Sequence, residues 1–189
     1  PLERISQLQS RLAQRIAFFV GRQERLLTNV PGLLLARRTS PTEPCSLTYE
    51  PSLIVVAQGR KQVMLGRKSF IYDASRYLLT SVDLPIVSRV VEASEATPCL
   101  ALALKLEMPV VRELLSREEI QVTGVSADSP AMATGELTAE LLDACCRLLD
   151  LLAAPRDIPL LSGLIQREII YRILLGSAGA RLRSIATLG

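Results

Sequence analysis

The sequence predicts an α+β fold that is mainly β: a β-barrel in the middle of the chain, a helix before it and a helical hairpin after it. Short β-type runs separated by turn residues crowd between Leu33 and Leu106. Apolar residues recur at helical spacing on both flanks. The close spacing of the runs leaves no room for crossover helices between parallel strands, so the strands must be antiparallel.

The first element is an amphipathic helix, with Ile5, Leu8, Leu12, Ile16 and Phe19 on one stripe and Arg4, Arg11 and Arg15 opposite. It is expected to pack on the chain's own barrel, with Phe18 and Phe19 ending it where it meets the body; a membrane surface and an oligomer contact are the other readings. Asn29, Pro31 and Gly32 break the pattern. The β-type runs that follow are Leu33 to Arg38, Ser52 to Ala57, Arg60 to Leu65, Lys68 to Tyr72, Arg76 to Thr80, Ile86 to Val91 and Cys99 to Leu106.

Gln58-Gly59 and Gly66-Arg67 each leave two residues between runs, where glycine supplies the positive φ of a tight turn. Three successive antiparallel strands are therefore expected from Ser52 to Tyr72. In the last run Leu100, Leu102, Leu104 and Leu106 alternate with Ala101, Ala103 and Lys105, a period of two whose alanine side would let a helix sit close.

Pro109 suits the first turn of a helix running to about Arg117. The polar stretch from Gln121 to Gly135 reads as loop. Thr138 can cap the next helix, whose stripe is Leu137, Leu141, Cys145, Leu148 and Leu152, with Asp143 and Arg147 paired on the wet side. Pro155 stops it, and a further helix carries Leu161, Leu164, Ile165, Ile169 and Ile173 until Gly176. The division is a helical arm over residues 1–30, a barrel over 31–107 and a helical region over 108–189.

Composition limits the chemistry. The chain has 189 residues, 49% hydrophobic and 22% charged, and no apolar run approaches the roughly 18 residues of a membrane span. Histidine is absent, which removes Ser-His-Asp and Cys-His nucleophiles and histidine metal sites. Cys45, Cys99, Cys145 and Cys146 show no metal-ligand spacing and read as reduced thiols, so no metal and no cofactor is expected. No secretory leader pattern opens the chain, and a cytoplasmic location is expected. The net charge is only +3 and sits in the arm; the body carries no basic footprint for nucleic acid.

The acidic residues are scattered, with no carboxylate pair on matching strands, and Gly59 and Gly66 belong to no phosphate loop. Polar residues within the strands are more informative, because an apolar interior carrying a few hydrogen-bonding groups is how small-molecule sites are built. The candidates are Arg37, Tyr49, Tyr72, Tyr77, Ser81 and Arg89; each could instead point outward.

Tyr49-Glu50-Pro51-Ser52-Leu53, Gln58-Gly59-Arg60-Lys61, Leu65-Gly66 and Tyr72-Asp73-Ala74 resemble the N-terminal regulatory domain of AraC-family transcription regulators. In the same order follow Tyr77-Leu78, Ser81-Val82-Asp83-Leu84-Pro85, Glu92-Ala93-Ser94, Asp157-Ile158-Pro159, the stretch from Ile165 to Arg172, and Gly179-Ala180-Arg181-Leu182-Arg183. The resemblance implies a cupin-like β-barrel (jelly roll) that senses a small organic effector and helices that pair two subunits. It also implies a C-terminal helix-turn-helix domain, expected to lie beyond this chain, through which DNA is bound.

The leading expectation is thus a non-enzymatic effector-sensing and dimerising module. A metal-independent cupin enzyme such as an isomerase, and a ligand-free structural dimerisation domain, are the alternatives. An open interior favours sensing and a filled one favours the structural role. A homodimer through the helices between Leu137 and Gly176 is expected, with Leu148, Leu152, Leu164, Ile165, Ile169 and Ile173 as interface candidates.

Overall fold

The computed structural model describes residues 2–80, 84–120 and 132–187. Helix α1 (Leu2–Val20) is followed by β1 (Arg25–Leu27), β2 (Leu33–Arg38), β3 (Cys45–Tyr49), β4 (Ser52–Gln58), β5 (Arg60–Leu65), β6 (Lys68–Tyr72), β7 (Arg76–Thr80), β8 (Leu84–Glu92) and β9 (Cys99–Lys105). Then come α2 (Met108–Leu115), β10 (Met132–Glu136), α3 (Ala139–Asp150), two 3-10 turns, α4 (Ile158–Leu175) and α5 (Gly179–Thr187).

The strands form two antiparallel sheets, not one closed barrel. The larger has the order β1-β2-β9-β4-β7-β10 and the smaller β3-β8-β5-β6. From β3 onward the chain crosses repeatedly between the sheets, as a jelly roll does. Every expected β run forms a strand. The additional strands are β1 and β3, and β10, whose residues Met132 to Gly135 had read as loop. β10 earns its place by tertiary pairing with β7, Thr134 opposite Leu78 and Gly135 opposite Tyr77; nothing in its own polar sequence announces a strand.

The larger sheet is covered on both faces, so period-two alternation sorts its side chains into two cores. Leu33, Leu35, Leu53, Val55, Tyr77, Leu79, Leu100, Leu102 and Leu104 face the helices, joining Leu12, Ile16, Val20, Leu141, Leu149, Ile169 and Ile173. Ile54, Val56, Leu78, Cys99 and Ala101 face the smaller sheet and meet Val63, Tyr72, Ile86 and Val90. The alanine side of β9 therefore looks into the space between the sheets, and its leucine side takes the helices. Large side chains fill the helix interface, and small ones leave room between sheets.

Helix α1 packs on the larger sheet and on α3 through Leu8, Leu12, Ala13, Ile16 and Val20. Phe19 joins that core, whereas Phe18 is exposed. Two arginines on its outer face reach Asp150 of α3, Arg11 at 2.6 Å and Arg15 at 2.8 Å. Thr138 caps α3 by accepting from the Leu141 N–H, and Arg147 bridges Asp143 and Glu168, tying α3 to α4. Arg167 of α4 holds Glu113 of α2 with both guanidinium nitrogens at 2.6 Å. Helix α5, not foreseen as a separate element, closes the chain against α2 and α4.

The two glycine turns do different jobs. Gly66 turns a true hairpin, β5 to β6, with Leu65 opposite Lys68. Gln58-Gly59 joins strands of different sheets and turns the corner between them. Two-residue spacing fixes how near the strand ends lie, and a register shift at Val56/Gln58 decides that they diverge. Gly59 has φ +87°, and a Cβ there would lie 2.7 Å from the Glu92 carbonyl oxygen and 2.9 Å from Cys99 Cα. Gly66 has φ +58° with nothing within 4 Å. Gly59→Ala should therefore lose about 2 kcal/mol or more and Gly66→Ala about 1 kcal/mol in urea unfolding; equal losses would contradict the corner packing.

Candidate functional site

Between the sheets lies a cleft of about 710 Å³, within the size range of sites for small organic molecules. Its floor on the larger sheet is Leu34 and Ala36 of β2, Ile54 of β4, and Ala101 and Ala103 of β9. Cys45, Lys61, Ser88 and Val90 approach from the smaller sheet. Glu24, Arg25, Arg38, Thr42, Glu43, Glu50, Arg89 and Lys105 supply the charged and polar remainder. Thr42 is pinned over it by β8: the Val90 N–H donates to Thr42 Oγ1 at 2.9 Å, and the Thr42 N–H donates to the Val90 carbonyl at 3.0 Å.

Most of the charge is internally matched. Arg38 pairs with Glu24, and Lys105 with Glu50 at 3.1 Å. Arg89, exposed at the edge, donates to Gln62 Oε1 at 2.7 Å. Among the described residues Arg25, exposed at the rim, has no ion pair, and neither has Lys61. Period two from the buried Val63 places it on the inner face of β5, where its backbone pairs with Tyr72 and Val90. Among the described residues it makes no hydrogen bond or ion pair, although it lines the cleft. Desolvation by burial lowers its pKa; the neighbouring Cys99 pulls the other way, and Arg38 adds to the lowering. Burial raises the Cys99 thiol in turn, with Lys61 opposing. Ser88, 5% exposed, also lines the cleft, and its hydroxyl has no partner among the described residues.

Of the polar candidates read from the sequence, Arg89 lines this cleft. Arg37 sits on the opposite side of β2 from Leu34, Ala36 and Arg38, so Arg38 takes the place expected for it. Tyr72 is buried in the between-sheet core beside the cleft without lining it. Tyr77 belongs to the helix-side core, its ring standing against Gly135 and its hydroxyl near Gly176 at the α4–α5 junction. Burial there pushes its pKa up to about 12. Ser81 and the side chain of Tyr49 lie outside the described residues. Lys61 and Ser88 escaped the sequence reading, although the alternation about Val63 carries a signal for Lys61.

Among the described residues no three His, Cys, Asp or Glu side chains gather as metal ligands, and no helix is long and apolar enough to cross a membrane.

Residues 29–181 match the family model described as the AraC-type transcriptional regulator N-terminus. The chain belongs to this family. The match takes in β2 to β10 and α2 to α4, and leaves out α1, β1 and most of α5. Among solved structures it is similar to apo ToxT from Vibrio cholerae, a lysine-to-alanine variant, with a TM-score of 0.55 and 10% identity over 84% of this chain and 60% of that one. It is also similar to the AraC-like transcriptional activator CuxR, with a TM-score of 0.44 and 10% identity over 85% of this chain and 63% of that one. Wild-type ToxT with a bound unsaturated fatty acid gives 0.45 and 8% identity over 75% and 54%. The chain thus spans about 60% of these regulators' length. A search of curated protein sequences finds no match.

The lone ammonium gives a signed pH dependence. Lys61 has a folded-state pKa below its unfolded value of 10.5, so the unfolded chain binds more protons between the two values and stability rises with pH across that window. Below the folded-state pKa the cost of burying the charge is fully present. Relative to wild type, Lys61→Met should be more stable at neutral pH, with the advantage shrinking as pH approaches 10.5. Urea titrations at several pH values check this; a constant difference would refute it.

Proposed function

We propose that this chain is the regulatory half of an AraC-type transcription regulator and that a small organic effector occupies the cleft between its sheets. The observation that carries the reading is the open cleft itself: an apolar floor of small side chains beneath a polar rim. A purely structural domain has no use for an unfilled interior, since lost packing contacts lower stability. Effector binding would act by differential affinity for two arrangements of the sheets and helices, and so bias DNA-binding domains attached beyond this chain. No catalytic acid-base pair is assigned. A thermal-shift screen of aromatic, sugar and acidic metabolites tests the reading. A true effector at a hundredfold excess over its Kd adds about 2.7 kcal/mol. Ala101→Leu, which fills the cleft floor, should remain folded and lose the shift; a shift that survives it places binding elsewhere.

We further propose that the domain forms a homodimer through the outer face of α4. Leu148, Ile169 and Ile173, expected at the interface, are at most 1% exposed in the domain's own core, which favours other residues of the helical layer for the contact. Leu152 and Ile165 are partly buried against the same core. Leu164 is 63% exposed, and Leu160 and Leu161 lie open beside it at 79% and 41%. Apolar surface in one stripe on one helix suits a twofold contact. Leu164→Glu should give a folded monomer in light scattering, whereas Ile169→Glu should unfold the domain. A wild-type domain that is monomeric at high concentration, or a Leu164→Glu dimer, would overturn this interface.

A further inference from the structure

The cleft is a good fit for an apolar molecule everywhere except at Lys61. Lys61 lines the cleft together with Ile54, Val90, Ala101 and Cys99; an ammonium in such surroundings loses hydration, and the usual remedy is a carboxylate partner or a set of hydrogen-bond acceptors. The domain provides that remedy for two cations at the rim of the cleft: Glu24 takes Arg38 and Glu50 takes Lys105. Those two carboxylates are thereby occupied. Glu43, the third carboxylate of the lining, is exposed, and it forms no ion pair with Lys61 among the described residues. The Ser88 hydroxyl, on the neighbouring strand of the same sheet, likewise faces the cleft without a partner.

Building on the effector reading above, we propose that the effector is an amphiphilic organic monoanion whose carboxylate pairs with the Lys61 ammonium, while its apolar body lies along Ile54, Ala101 and Ala103. Binding then supplies what the free domain lacks. The carboxylate neutralises the one inner cation without a counter-charge, and the hydroxyl of Ser88 donates to its second oxygen. The proportions of the site favour one negative charge and no more, because the remaining cations are held by Glu24 and Glu50 or lie at the exposed edge. The small side chains of β9 set the width of the channel for the body. A neutral molecule of the same shape gains the apolar contacts but leaves the ammonium uncompensated, and a dianion brings a charge with no inner cation to meet it.

The test uses decanoate and its neutral match, decan-1-ol, with wild-type domain, Lys61→Met and Lys61→Arg, read by thermal shift and isothermal calorimetry. Decanoate should bind wild type, bind Lys61→Met about thirty-fold or more weakly, and recover most of its affinity in Lys61→Arg, which keeps the charge. The alcohol should bind wild type and Lys61→Met alike, and more weakly than decanoate binds wild type. Equal affinity of acid and alcohol for wild type, or an acid affinity indifferent to Lys61→Met, would overturn the anionic effector while leaving the cleft as an effector site. Binding of neither compound, with no shift from any member of the wider screen, would overturn both. Folding is not in question for the variants, since Lys61→Met removes a half-buried charge and Lys61→Arg retains it, and circular dichroism confirms their state.

Discussion

Two-sided burial of the six-stranded sheet is the constraint on which the rest of the molecule depends. Its central strands β9 and β4 have no solvent face: one side of each is pressed by α1 and the helical layer, the other by the smaller sheet. The helix side is packed with leucines and isoleucines, which together with the Arg11, Arg15 and Asp150 cluster hold α1 and α3 in place. That firm side makes the other side free to be imperfect. A sheet anchored by one dense core can carry alanines on its second face without losing its geometry.

The cleft is the result of that asymmetry. Ala36, Ala101 and Ala103 stand where larger residues would close the two sheets on each other, and the volume they do not fill is the site. Among the described residues the two sheets face one another without sealing into a barrel. Lys61 then stands out by comparison with its surroundings. Around it Arg38 and Lys105 are matched with carboxylates, and among the described residues Lys61 is not.

The helical layer follows similar economy. Arg147 with Glu168, and Arg167 with Glu113, lock α3 to α4 and α4 to α2, so α4 is fixed by its inner face and its flanks. Its outer leucines remain uncovered within one chain. Tyr77 connects the two regions: it rises from a strand of the larger sheet, passes over Gly135 and ends at the junction of α4 and α5.

The amino-acid sequence by itself determined the strands with strong alternation, the Thr138 cap, the stop at Gly176, and the family to which the chain belongs. These are local matters: turn glycines, capping hydroxyls and period-two or helical spacing act over a few residues and leave their mark in order along the chain. Tertiary structure alone decided which strands share a sheet, that β10 is a strand at all, and which face of β9 looks into the cleft. It also exchanged Arg37 for Arg38 and brought Lys61 to the interior, while withdrawing Leu148, Ile169 and Ile173 into the core. The physical reason is common to all of these. Alternation says that two residues lie on opposite faces, but it does not say what covers each face, and that is settled only when elements distant in sequence compete for the same apolar surface.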